Sequence, residues 1–157
     1  MVAGEWWPIV PAATVGAPRF ADGIVDRPAL VSRLLAARDA HELLLTTFGG
    51  MRGITEAGFG RLEAAAAAPQ ASMFGEAIYA DRSAQAAALC LGIARAHPFS
   101  DGNKRVALVA LDVFLRQNGA RLAASNDDAY EAIMALARGD MRHAELADWV
   151  ARHSAEL

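Results

Sequence analysis

Residues 97 to 105 read His97-Pro98-Phe99-Ser100-Asp101-Gly102-Asn103-Lys104-Arg105 and run directly into the apolar stretch Val106 to Leu111. A proton acceptor, a carboxylate, a Gly-Asn turn and a pair of cations therefore share one loop that opens a helix. A helix N-terminus presents unpaired backbone N–H groups and a partial positive charge, so a phosphate can rest on the amides around Gly102, Asn103 and Lys104. Lys104 and Arg105 in the first helical turn oppose the helix dipole and are better placed with a polyanion bound. Asp101 is a hard oxygen ligand suited to Mg²⁺ on nucleotide phosphates, and His97 is suited to taking a proton from an attacking hydroxyl. Phe99, between polar residues, anchors the loop in the core.

Taken singly, each residue also has an ordinary use: Asp101 as a helix N-cap, His97 as the C-cap of the preceding helix, Lys104 and Arg105 as solvated charges. The combination is more specific. It resembles the signature of the Fic/Doc (Fido) family, His-x-Phe-x-Asp/Glu-Gly/Ala-Asn followed by Gly-Arg or Lys-Arg, with every specified position filled. Upstream, Phe48-Gly49-Gly50-Met51-Arg52-Gly53, Leu62-Glu63-Ala64 to Pro69, Phe74-Gly75 and Tyr79 follow the order of features in the Doc-like, death-on-curing subgroup. Asn103-Lys104-Arg105 is the Doc form. AMP-transferring members usually carry Gly where this chain has Lys104, and a second Arg where it has Leu108.

The resemblance implies a mainly α-helical Fido fold, a helix bundle around a central motif helix with one short β-hairpin flap. It implies a toxin of a toxin-antitoxin pair: a protein kinase using ATP and Mg²⁺ to phosphorylate a Ser/Thr hydroxyl on a translation factor, elongation factor Tu being the family example. His97 would be the base and Asp101 the metal ligand, with Gly102, Asn103, Lys104 and Arg105 on the phosphates. Arg95 matches a phosphate-contacting Arg of Doc-like members, and Phe74, Gly75, Ile78 and Tyr79 fall in the flap that docks the target's backbone. Two other readings are AMP transfer by the same loop, and a catalytically idle binding module. Self-restrained members carry a Ser/Thr-x-x-x-Glu-Gly/Asn helix. The partial match here, Ser72 to Glu76, is followed by Ala77 and falls in the flap, so a separate antitoxin is the expected partner.

Composition agrees with one domain: 157 residues, 54% hydrophobic and 21% charged, without a shift along the chain. A formal net charge of -3 argues against direct nucleic-acid binding, which calls for a basic surplus. Cys90, the single cysteine, lies among Ala and Leu and reads as a small buried hydrophobe. Arg95 and Asp112 interrupt the longest apolar runs, and the N-terminus lacks the basic segment of a secretory signal. A cytoplasmic protein without membrane contact is the expectation.

The elements that must position the loop are legible in outline. Residues 1 to 25 read as an irregular arm bearing Trp6 and Trp7, and 26 to 157 as the domain. Asp26 and Pro28 start a helix running toward Leu45, and Thr55 is placed to cap another that passes through Leu62 and stops before Pro69. Residues 70 to 80 have hairpin character. Asp81 or Ser83 caps a small-residue helix, Ala84 to Arg95, in which Gly92 points to close helix packing. The motif helix extends from Asn103 to Gln117 and stops at Asn118-Gly119. Ser125 and Asp128 form a capping box for a helix ending near Gly139. Leu146, Trp149, Val150 and His153 have the spacing of a last amphipathic helix. His41, His143 and His153 lack metal-ligand spacing.

Overall fold

The computed structural model describes residues 53–54 and 57–157. The expected arm, the helix toward Leu45, the glycine-rich break before Gly53 and the Thr55 cap lie outside the described residues. The described chain orders five helices and two short sheets: α1 (Gly58–Ala67), β1 (Ser72–Met73), β2 (Glu76–Ala77), α2 (Arg82–Ala96), α3 (Asn103–Gln117), β3 (Ala120–Leu122), α4 (Asn126–Arg138), α5 (His143–Arg152) and β4 (Ser154–Glu156).

Alanine favours α1 intrinsically, and Leu62, Ala65 and Ala66 give it a buried stripe. Pro69 does not simply end the chain's helical path. Lacking an N–H, it sits in the first turn of a short 3₁₀ helix, Ala68–Gln70, where no donor is needed. Asp81 caps α2, its Oδ1 accepting from the Ala84 amide at 2.8 Å. Ser125 caps α4 by accepting from the Asp128 amide at 3.1 Å, and its hydroxyl donates to Asp128 Oδ2 at 2.7 Å. In α5, Glu145 Oε2 accepts from the Arg142 amide at 2.7 Å, while Leu146, Trp149 and Val150 are buried. His153 follows that helix and stacks on Trp149, ring centroids 4.6 Å apart.

The motif helix α3 is buried continuously from Val106 to Leu115, as an apolar surface on almost every side requires. It shares the centre with α2, which packs on α1, α3, α4 and α5. Small residues explain the second central helix. Ala86, Ala87, Ala88 and Cys90 are all buried, and their short side chains let neighbouring helices approach. A methyl group on Gly92 would lie 3.1 Å from the Ala65 Cβ and 3.2 Å from its Cα, so α1 would have to give by a few tenths of an ångström to admit one. The full burial of Cys90 pushes its thiol up to about 12, which keeps it an inert hydrophobe.

The hairpin forms as expected, with Ser72 opposite Ala77 and Met73 opposite Glu76. A second ladder, which the sequence does not announce, pairs β3 with β4 antiparallel across the end of α3. Asp112, only 1% exposed, ties that ladder down: its Oδ1 accepts from the Leu122 amide and its Oδ2 from Arg116 Nε, both at 2.8 Å. Arg82 adds a second tie, donating to the Asn118 carbonyl at 2.9 Å and pairing with Glu156, whose carboxyl it holds below the usual range. No described helix is long and apolar enough to cross a membrane.

Candidate active site

The loop between α2 and α3 joins two helix ends of opposite polarity. His97 is the C-cap of α2, its N–H donating to the Ile93 carbonyl at 3.3 Å, and it is one of the described non-glycine residues with a left-handed backbone, φ 46° and ψ 57°. For a side chain with a Cβ that conformation costs on the order of 1–2 kcal/mol, so the fold must hold it there. The exposed imidazole thus stands at the carbonyl end of a helix.

Six residues on, α3 begins. Its N-cap is Gly102 with φ 76°, and no side chain caps the helix. The first intrahelical bond, Val106 N–H to the Gly102 carbonyl at 2.9 Å, leaves the preceding amides aimed out of the N-terminal end. Asp101, half-buried, accepts from the Gly102 amide through Oδ1 at 2.6 Å. That amide is therefore turned toward the carboxylate, so the Asn103 and Lys104 amides are the better seats for a phosphate. Lys104 is exposed and Arg105 half-buried.

Asn103 has a task the sequence reading did not give it. Its carboxamide, 7% exposed, accepts from the Phe99 N–H at 2.9 Å and donates to the Phe99 carbonyl at 2.8 Å. The side chain staples the loop, both of its polar atoms committed to Phe99. Phe99 is itself buried, bridges to Ile54, and is followed by a Ser100 amide that donates to the Gly53 carbonyl at 3.2 Å. Asn103→Asp keeps the acceptor but sets a carboxylate against the Phe99 carbonyl. The expected loss is about 1–3 kcal/mol, read as a lower midpoint in thermal unfolding.

Arg95 lies exposed in the last turn of α2, a favourable place for a cation and two residues from His97. Leu108 is 1% exposed and part of the core, so that position carries no side chain toward a nucleotide. The hairpin tip is Phe74-Gly75, with φ 52° and 85°, the positive pair that a two-residue type I′ loop requires. Phe74 is 99% exposed and Ile78 is also exposed. Tyr79 differs from those three. It is half-buried, with its ring 4.5 Å from that of His143, whose Nε2 lies 2.8 Å from the Ala84 carbonyl. It fastens the base of the hairpin to α2 and α5 instead of projecting from it. The Ser72 to Glu76 stretch is this hairpin and not a helix. Among the described residues no cluster of His, Cys, Asp and Glu could hold a metal by protein ligands alone. A single carboxylate such as Asp101 suits Mg²⁺, which keeps most of its ligands as water and phosphate oxygen.

Two residues outside the loop carry no motif signal: Arg61 of α1, whose Nη1 donates to the Ala96 carbonyl at 3.4 Å, and Asp112 at the far end of α3. Arg61 meets a carbonyl 35 residues along the chain, and Asp112 meets the Leu122 amide ten residues on, contacts that no helix spacing rule reports.

Residues 33–115 match the Fic/DOC family. The chain is 43% identical over 88 residues to Toxin Doc of Mycolicibacterium smegmatis (strain ATCC 700084 / mc(2)155), covering 55% of this chain and 66% of that protein, just under two thirds of its length. It is 33% identical over 119 residues to Protein kinase doc of Escherichia phage P1, covering 76% of this chain and 89% of the phage protein. The family match takes in α1, the hairpin, α2, the motif loop and most of α3, the elements that build the site. The chain belongs to the Fic/DOC family.

Proposed function

We propose that this chain is a Doc-like toxin that transfers the γ-phosphoryl group of ATP to a Ser or Thr hydroxyl of a target protein. A strained, exposed His97 at the carbonyl end of one helix, beside the uncapped and doubly cationic N-terminus of the next, carries the reading. The names of the two relatives, Toxin Doc and Protein kinase doc, support it. His97 accepts the proton of the attacking hydroxyl as its oxygen bonds to phosphorus, and the bond from the γ-phosphorus to the bridging oxygen breaks to release ADP. The Asn103 and Lys104 amides with the Lys104 and Arg105 charges stabilise the transferring group, and Arg95 supports the phosphates. Asp101 would hold Mg²⁺, which would neutralise phosphate charge when bound. Phe74, Gly75 and Ile78 offer the target an exposed strand pair to extend, and Tyr79 anchors it. A separate antitoxin is the partner that restrains the activity, by folding a helix into a groove near the site. The target belongs to the translation machinery, and the whole reaction takes place in the cytoplasm.

Lys104 and Leu108 favour phosphoryl over AMP transfer. A cation at 104 fills the place of the glycine that AMP-transferring members use, and a buried Leu108 removes their second Arg. The γ-phosphate is then the group seated next to His97. With cytoplasmic extract or a candidate translation factor as acceptor, γ-labelled ATP is expected to label a protein and α-labelled ATP is not. Label arriving from the α position, with a mass increase of AMP, would overturn the kinase reading and leave the site residues standing.

A further inference from the structure

We propose that Arg61 is a positioning residue for His97: its guanidinium holds the Ala96 carbonyl, and with it the peptide plane from which His97 turns into its left-handed conformation. The proposal rests on His97 being the proton acceptor of the reaction above.

The Ala96–His97 peptide is held at both ends. Its N–H donates to the Ile93 carbonyl at 3.3 Å, and its C=O accepts from Arg61 Nη1 at 3.4 Å. Each bond is long enough to be weak alone. Together they restrain one rigid plane, and the φ of 46° at His97 is the rotation that immediately follows it. Left-handed backbone is the less stable choice for histidine, so without a restraint the cap relaxes and carries the imidazole with it. The Arg61 charge at the carbonyl end of α2 also offsets the helix dipole.

A second observation explains how Arg61 reaches. Arg61 and Ala65 lie one turn apart on α1, and Gly92 and Ala96 one turn apart on α2. Ala65 sits so close to Gly92 that even a methyl group there would press on it, and the same antiparallel register places Arg61 against Ala96. Gly92 sets the helix spacing, and the spacing delivers the guanidinium.

The test uses the full chain. In Arg61→Ala, kcat for transfer is expected to fall on the order of tenfold, with KM for ATP within about twofold, because misplacing a base lowers turnover and not ground-state binding. Without substrate, hydrogen exchange at the His97 amide should quicken by roughly the same factor, while Ala87 to Leu89 in the middle of α2 stay protected. Arg61→Lys, which keeps a charged donor, should restore most of both. Gly92→Ala should resemble Arg61→Ala, and the double variant should lose no more than Arg61→Ala alone. Unchanged exchange at His97 in Arg61→Ala overturns the proposal, as does a raised KM for ATP with intact kcat, which marks a phosphate contact. If the unaltered chain transfers nothing to any target, the functional reading falls, and the exchange measurement alone decides whether Arg61 holds the cap.

Discussion

Replacing His97 by alanine is expected to slow transfer by roughly 10²- to 10⁴-fold, the usual loss when a general base is removed. Nucleotide affinity should stay within about twofold, because the base acts on the attacking hydroxyl and adds little to ground-state binding. His97→Asn is the needed companion, since asparagine tolerates the left-handed φ of 46° and so separates loss of the base from relaxation of the loop. Both variants should bind ATP in titration calorimetry and fail in single-turnover transfer. Near-normal turnover in either removes His97 from the mechanism.

The largest stability effect is expected at Asp112. Its carboxylate is buried and serves two partners, Arg116 at the next turn of α3 and the Leu122 amide of β3. Asp112→Ala strands the Arg116 guanidinium, which is largely buried, and takes the acceptor from the Leu122 N–H. Removing one member of a buried pair costs about 3–5 kcal/mol, the low end applying where the partner can reach water, as Arg116 partly can. For a domain of this size each kcal/mol lowers the midpoint by about 2–4 °C, so a fall of on the order of 10 °C is expected in calorimetry. Asp112→Asn, which keeps an acceptor for the amide, should lose less. A shift below about 2 °C for Asp112→Ala would show that the β3–β4 ladder does not depend on this carboxylate.

The candidate site was largely legible because its residues are contiguous. His97 to Arg105 lie within nine positions, and a loop between two helices keeps neighbours in sequence neighbours in space. Roles inside that loop were less legible. Asn103 has the chemistry of a phosphate ligand, but its side chain is committed to Phe99, a choice made by the turn geometry and the burial of the phenyl ring. Tyr79 falls in the hairpin segment by sequence, yet the ring of His143, far along the chain, captures it. Arg61 has no local signal at all.

The sequence by itself determined the described helices and most of their stops. Asp81 and Ser125 cap where a short acceptor precedes an apolar period, Gly92 marks a close approach, and the motif helix begins and ends where Gly102 and Asn118 place it. These are short-range matters of hydrogen-bond satisfaction and periodicity, which a window of a few residues contains. Tertiary structure alone decided that α2 shares the centre with α3, that β3 pairs with β4, and that Arg61 meets Ala96. Strands of three residues lack the length to show a period, and Ala120-Arg121-Leu122 finds Ser154-Ala155-Glu156 only after α4 and α5 have packed and brought the chain back. The buried carboxylate of Asp112 then takes the partners that packing offers, because a buried polar group left unpaired costs more than the contact itself returns.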